Sequence, residues 1–541
     1  MEFSPTQSHT STPSSMWRRA MSMSWRGRAA MGAAASAAAF ALPTAYAKPL
    51  PSFISQIGET PVGESRTGQV GGGGKERTES FNRADSFIDW QGAIDTDYVE
   101  ALRMLRMSYK LPLDMMRSLA THFKAEAVAG LAGQQSSVRM LPTFVNKRVT
   151  GAERGDYYAL DLGGTNFRVL RLTLEGGGVV GPVKSMKFAI PETAKTGTGA
   201  ELFGFLADSV ARFIALECGG DAKGVLGFTF SFPVEQSALD AGKLIMWNKG
   251  FSASGVVGED VVQLLQTQLA SRGIELQVTA LANDTVGTME TAAYKDGAAA
   301  VGLILGTGTN AAYLEKTSRV PKWQGAPCEE MVINTEWGNL QMAGYRNVFD
   351  EIIDEATANP GVQTFEKMIS GLYLGEICRT SILHPSVARG FSPAAAAQLR
   401  ATFAAPSSFQ SSLMASIEAD HSPTLDEVDR LLHAAGVTAC TVRDRALLHE
   451  ACACVSTRAA RLSATATAAL LEHAQLDQGA CTVAVDGTVF ECYPRFKQRM
   501  EAALEELLPA AHSGHPSAAG IKLVLAKDGS GIGAAIIAAL A

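Results

Sequence analysis

The chain is poor in the features that announce metal scaffolds, disulfide frameworks and nucleic-acid binders. It has no CxxC pair, and none of its eight cysteines stands with a histidine at zinc-finger spacing. That excludes a sequence-evident zinc site and a disulfide-stapled fold, and it reads as reduced, mostly buried thiols in a reducing compartment. The closest pair, Cys452 and Cys454, would point apart on a helix, which is poor geometry for a shared metal. Basic residues are outnumbered, 47 Lys and Arg against 54 Asp and Glu, and no basic stripe is evident, so the expectation is no nucleic-acid partner. No stretch is a good bilayer span: the Ala-rich run from Ala29 to Ala47 contains Pro43. What remains, with 541 residues of which 46% are hydrophobic and 19% charged, is an ordinary globular composition.

Acids are also scarce at the N-terminus. Residues 1–46 contain Arg18, Arg19, Arg26 and Arg28, many Ser and Thr, and a single acid, Glu2. That composition reads as an organelle transit peptide, placing the protein in the plastid first and the mitochondrion second. Ala45-Tyr46-Ala47 also resembles a secretory cleavage site, and membrane association could come only through this segment. GQVGGGGKERTES follows as a flexible linker. The organisation expected is a targeting segment and linker over 1–75, an N-terminal domain over 81–292 and a C-terminal domain over 293–541.

The body alternates strand and helix patterns, so the class is α/β. Ile94 to Leu141 is helix-patterned, with Tyr98, Leu102 and Leu105 at helical spacing. YYALDLGGTNFRVLRL (157–172) reads as two strands around a Gly-Gly-Thr-Asn turn. VGLILGTGTNAAYL (301–314) repeats the theme, which suggests two similar lobes facing each other. A third strand and glycine turn, LVLAKDGSGIG (523–533), precedes a helix over Ala534–Leu540. The interval Pro385–Ser422, rich in Ala, Ser and Pro, reads as a surface helix with loops.

Gly163 and Gly164 allow backbone N–H groups to approach a ligand, and Thr165 and Asn166 add side-chain donors, so the turn can cradle phosphate; a tight hairpin turn is the plain alternative. Gly306-Thr307-Gly308-Thr309 has the same character, and Gly529-Ser530-Gly531-Ile532-Gly533 opens a helix. Three such turns with Asp161 beside one point to a nucleoside triphosphate and a metal, Asp161 serving Mg²⁺ through water. Asp284, between a strand and a helix, is placed either to accept a proton from an attacking hydroxyl or merely to cap the helix.

Eight segments in order resemble the hexokinase family: DLGGTNFR, LGFTFSFPVEQ, WNKGF, NDTVGTM, GTGTNAAYLE, INTEWGNL, NPGVQTFEKMISGLYLGE and VDGTVF. GTGTNAAYLE followed by Pro321-Lys322-Trp323 is most similar to the plant and algal branch, with one catalytic unit. The resemblance implies the actin-like ATPase (ribonuclease H-like) fold, two lobes around a sugar and ATP cleft, in a monomer. It implies ATP-dependent phosphorylation of glucose, fructose and mannose at the 6-hydroxyl, the first step of glycolysis, with a weakly catalytic glucose sensor as the other reading. By it, Ser231, Asn248, Lys249, Asn283, Asp284, Asn310, Glu336 and Glu366 bind the sugar, with Asp284 as base and Lys249 beside it. Asp161, Gly163, Gly164, Thr165, Asn166, Arg168, Thr307, Gly308 and Thr488 surround the phosphates. Gly529, Ser530, Gly531 and Gly533 surround the adenosine. Trp337 and Phe251 are expected in the core, Glu376 as a structural acid. Glu366 as a solvated helix acid and Lys249 as a surface lysine stay open. One departure stands out: Asn248 occupies the position of the usual threonine in WTKGF.

Overall fold

Two sheets of like topology organise the chain. The computed structural model describes residues 95–541 except 165, 221, 478 and 509–519; the expected targeting segment and linker over 1–75, and Thr165, lie outside the described residues. Helices α1 (Thr96–Tyr109) and α2 (Leu113–Leu131) come first, α1 capped by the Asp95 carboxylate. A five-stranded sheet follows, made of β1 (Arg154–Leu162), β2 (Asn166–Gly176), β3 (Val179–Ala189), β4 (Lys223–Phe230) and β5 (Glu275–Ala282). Helix α3 (Gly199–Glu217) links β3 to β4, and α4 (Val261–Ser271) precedes β5. After α5 (Asp284–Lys295) comes a second sheet of β6 (Ala299–Leu305), β7 (Thr309–Lys316), β8 (Glu330–Asn334), β9 (Cys481–Asp486) and β10 (Ile521–Leu525).

The spatial orders are β3-β2-β1-β4-β5 and β8-β7-β6-β9-β10. In each, an antiparallel three-strand meander is extended by two parallel strands. The duplication suggested by the two glycine turns is therefore a duplication of whole sheets. The third glycine run is no separate copy, because β10 completes the second sheet. Nor is it all turn: Gly529 already starts the last helix, α8 (Gly529–Leu540).

Helices α5 and α8 lie back to back between the sheets. A Cβ on Gly533 would overlap the Gly287 carbonyl, and one on Gly227 of β4 would overlap Ala534 carbonyl oxygen. Thr229 Oγ1 donates to Ser530 O at 2.9 Å, pinning the start of α8 to the first sheet. Small residues thus bring backbone against backbone at the centre of the molecule, where a side chain would separate the layers.

Chain order and spatial order part at the N-terminus. Tyr98, Leu105 and Phe123 of α1 and α2 share a core with Val301, Ile333 and Val483 of the second sheet. Leu141 and Pro142 form a short strand on the edge of β8. Residues 96–142 therefore belong in space to the second lobe, not to the N-terminal domain in which chain order places them. That lobe is built around α6 (Val442–Ala474), a 33-residue helix buried over most of its length, with α7 (Phe496–Leu507) packed against it. Arg458 on α6 is buried, and it is matched by bidentate bonds of 2.6 Å to Asp350 and by the Tyr109 ring 4.7 Å below its guanidinium. The interval 385–422, expected on the surface, contributes Leu399, Phe409, Met414 and Ile417 to this core. Its helices run Pro385–Ala388, Pro393–Thr402 and Ser411–Glu418.

All eight cysteines are free, but only Cys378, Cys452, Cys454 and Cys481 are buried, half rather than most. Cys452 Sγ lies 3.7 Å from Cys378 Sγ, and Cys454 turns to Glu450. Among the described residues no helix is long and apolar enough to cross a membrane.

Candidate active site

Strand ends of both sheets meet at one cleft, where the loops after β4 and β8, the β5–α5 junction, the start of β7 and a short helix opening at Glu366 carry the polar side chains. Ser231, Asn248, Lys249, Asn283, Asp284, Asn310, Glu336 and Glu366, every candidate sugar residue, line a single pocket. Phe232, Ile304, Asn339 and Gln363 also stand in its wall and had no signal in the sequence beyond lying inside or next to the family segments. The pocket is hydrogen-bonded before any ligand arrives. Asn310 Nδ2, with two hydrogens to share, lies within hydrogen-bond distance of Asn283 Oδ1 at 3.2 Å, Asn334 Oδ1 at 2.8 Å and Glu336 Oε1 at 3.1 Å. Asn334 Nδ2 donates to the same Glu336 oxygen at 3.0 Å. Thr309 N–H donates to Glu366 Oε2 at 3.0 Å. Burial raises both glutamates above the ordinary carboxylate range; Asn334 opposes the rise at Glu336, and the Thr309 N–H opposes it at Glu366.

Asp284 is the first residue of α5, but the cap is Asn283, whose Oδ1 accepts from Thr285 N–H at 3.0 Å. Asp284 Oδ1 shares that donor at 3.0 Å, and Oδ2 lies 3.9 Å from Lys249 Nζ. Lys249 is no surface lysine. Its ammonium donates to Ser231 O at 2.7 Å and rests 5.6 Å from the Phe232 ring centre. Lys249 and Glu336 both hold positive φ, 53° and 54°. Such left-handed backbone in non-glycine residues costs about 1–3 kcal/mol each and persists where the surroundings over-determine it. Asn248 Oδ1 is buried without a hydrogen-bond partner. Trp337 is fully buried, donating Nε1 to Thr309 Oγ1, and Phe251 packs among aromatics. Glu376 is tied to Arg379 at 2.6 and 2.8 Å, a structural acid.

The β1–β2 turn stands at the mouth of this pocket. A Cβ on Gly164 would press the Lys249 side chain at 3.2 Å, so the glycine lets turn and lysine meet. The antiparallel register sets Asp161 opposite Arg168. Asp161 Oδ2 accepts from Arg168 Nη2 at 2.7 Å and from Ser530 Oγ at 2.9 Å, while Arg168 Nη1 reaches Asp528. Asp486, unassigned in the sequence though it stands in VDGTVF, joins this group. Burial pushes it to about 6; Arg168 holds the rise back, while Asp161 and Asp528 add to it. The second glycine turn also meets Gly487 of VDGTVF: a Cβ on Gly306 would lie 3.4 Å from Gly487 Cα. Thr307 and Thr488 are exposed beside them. Gly308 lines the pocket, where a Cβ would lie 2.7 Å from Glu366 Oε2.

Three aspartates around one arginine are hard oxygen donors of the kind Mg²⁺ accepts. Yet among the described residues no group of three or more His, Cys, Asp or Glu side chains converges as a metal cage. A cation there would take most ligands from phosphate oxygens and water, which fits Asp161 acting through water. The expected adenosine residues divide. Ser530 joins the polar group, whereas Gly531 packs on Leu170 and Gly533 on Gly287, so helix packing accounts for these two glycines.

The Hexokinase family profiles match residues 101–294 and 300–540. The chain is 40% identical over 462 residues to Hexokinase-1 of Oryza sativa subsp. japonica, covering 80% of this chain and 89% of the relative. To Hexokinase-1 of Arabidopsis thaliana it is 39% identical, covering 79% and 88%. The solved hexokinase from Schistosoma mansoni complexed with glucose superposes with a TM-score of 0.72 at 36% identity, covering 82% of this chain and 99% of that one. With both lobes matched, the sheets duplicated and the motif residues gathered in one cleft, the chain belongs to the hexokinase family.

Proposed function

We propose that this enzyme transfers the γ-phosphoryl group of ATP to the 6-hydroxyl of D-glucose, and of fructose and mannose, opening glycolysis. One observation carries the reading: Asp284 Oδ2, with Lys249 Nζ 3.9 Å away, sits in the pocket that Glu336, Glu366, Asn283 and Asn310 line. Glu336 and Glu366 accept pairs of sugar hydroxyl hydrogens, while the Asn283 and Asn310 amides offer donors and acceptors to the rest. Asp284 takes the proton from the 6-hydroxyl as its oxygen attacks phosphorus. The Lys249 ammonium, held by the Ser231 carbonyl, sets a positive charge beside that proton transfer. The Gly163–Asn166 turn and Arg168 face the triphosphate, and Mg²⁺, when bound, neutralises charge developing on its oxygens. Lobes closing on the sugar exclude water as a rival acceptor. The sensor reading is not favoured, because Asp284, Glu336 and Glu366 share one pocket and Arg168 pairs with Asp161 as turnover would need. Asn248, longer than threonine, bears on which hexose is preferred.

Sugar-dependent ADP release, compared with Asp284→Ala, tests the proposal. Removing a general base typically costs 10²–10⁴-fold in rate, so turnover should collapse while glucose still binds by calorimetry. Full turnover in the variant would sink the assignment. We further propose plastid delivery by the Arg- and Ser-rich N-terminus, and function as a monomer. A fluorescent fusion of residues 1–80 that lit mitochondria or cytosol instead would overturn the first.

A further inference from the structure

Glu366 is held in the pocket by a loop that closes on a buried lysine. Lys367 follows Glu366 directly and is 4% exposed. Its side chain turns away from the pocket. Nζ donates to Asp354 Oδ1 at 2.6 Å, Thr357 Oγ1 at 2.8 Å and Asn359 O at 2.8 Å. All three ammonium hydrogens are used, and two of the acceptors lie at the start of the segment that ends at Glu366. Asp354 closes the loop from the other side. Its carboxylate accepts Gly361 N–H at 2.9 and 3.1 Å and Arg346 Nη1 at 2.8 Å. Within the loop, Thr364 Oγ1 donates to Leu340 O at 2.8 Å and accepts Met342 N–H at 3.1 Å, tying it to the segment that follows Glu336. Gln363, with φ 55°, reaches the pocket wall from the same loop.

A buried lysine is costly unless paired, and this one is paired to a single carboxylate that also holds loop backbone. We infer that Lys367 and Asp354 form a positioning pair that sets Glu366 and Gln363 against the sugar, so that sugar affinity, and not phosphoryl transfer, depends on it. The inference rests on the proposed sugar role of Glu366. A second consequence is electrostatic. Glu366 faces Lys249 and Lys367, which lower its proton affinity, and Asp284 and Glu336, whose negative forms repel its own; Tyr373, raised to about 12 by burial, is neutral in the acid range. Removing the Lys367 charge raises the Glu366 pKa, so the acid limb of kcat/KM for sugar moves to higher pH.

The test measures KM for glucose and for ATP, kcat, and the pH profile in the wild type, Glu366→Ala, Lys367→Met, Lys367→Arg and the neutral pair Lys367→Met/Asp354→Asn. Losing a good hydrogen bond between a sugar hydroxyl and a charged carboxylate weakens binding by roughly 10- to 100-fold. Lys367→Met should therefore raise the glucose KM by roughly tenfold or more, with KM for ATP unchanged and the acid limb shifted upward. Lys367→Arg should restore the limb. The double variant leaves no unmatched charge, so it keeps the fold testable, and it too should show the glucose KM rise. Equal losses in both KM values, or a fall in kcat alone that tracks thermal stability, would overturn the inference. If the wild type works and Glu366→Ala raises the glucose KM but Lys367→Met does not, the positioning role fails by itself. If the wild type shows no sugar-dependent ADP release, it is the proposed function that fails.

Discussion

Single residues in this protein carry charge where the fold has little water to offer. Glu290 is the clearest case outside the cleft. It lies on α5 six residues after Asp284, is 4% exposed, and burial drives its pKa to about 8. Glu153 pushes in the same direction, and Arg148, engaged with Glu330 at 2.6 and 2.8 Å, opposes it. The folded state therefore holds a proton that the unfolded chain releases at an ordinary glutamate pKa. Stability from this group is fully present below about pH 4.5 and is lost as pH rises toward about 8. The slope approaches about 1.4 kcal/mol per pH unit inside that window. Glu290→Gln keeps the shape and cannot ionise, so the variant should gain stability over the wild type between pH 5 and 8. Urea unfolding at both ends of that range measures it; parallel curves for the two proteins would show that Glu290 does not titrate there.

At the scale of elements, the central pair α5 and α8 couples the two halves of the cleft. Asp284 opens α5, Ser530 stands in the first turn of α8, and Gly287 and Gly533 let the helices touch. Gly533→Ala drives a methyl into the Gly287 carbonyl, which should cost roughly 1–3 kcal/mol of overpacking. Because both site residues ride on these helices, kcat should fall along with the melting temperature. A variant with an unchanged melting temperature would show that the crossing relaxes freely. Elements also differ in how legible they were. β2, α3 and α4 alternate or repeat their apolar residues because one face meets water or a neighbour of different polarity, whereas β1, buried on both faces at its end, was marked by an apolar run stopping at the glycine turn. α6 is buried on nearly every side, so its sequence has no polar stripe to mark it, and Arg458 and Glu450 inside it look like surface charges until their partners are seen. The motif residues of the pocket were readable because each stands in a segment of fixed order. Lys367 and Asp486 stood in such segments too, but nothing in one dimension reveals what an ammonium or a carboxylate will face.

For the molecule as a whole, the cleft matters because each lobe supplies only part of it. Ser231, Asn248 and Lys249 follow β4 of the first sheet, whereas Asn310, Glu336 and Glu366 belong to the second lobe. The repeat of glycine turns hinted at this arrangement; that α1 and α2 would leave the N-terminal half and join the second lobe did not follow from chain order, since packing partners are set by matching surfaces and not by proximity in sequence. A ligand touching both groups at once gains its full set of bonds only when the lobes stand together. Sugar should therefore favour the closed arrangement, and glucose at 100 times its dissociation constant should raise stability against unfolding by about 2.7 kcal/mol. Amide exchange should slow at both the β1–β2 turn and the loop after β8, although the two turns lie on different sheets. Protection confined to one lobe would mean that the sugar binds there alone and that the other lobe joins only with the nucleotide.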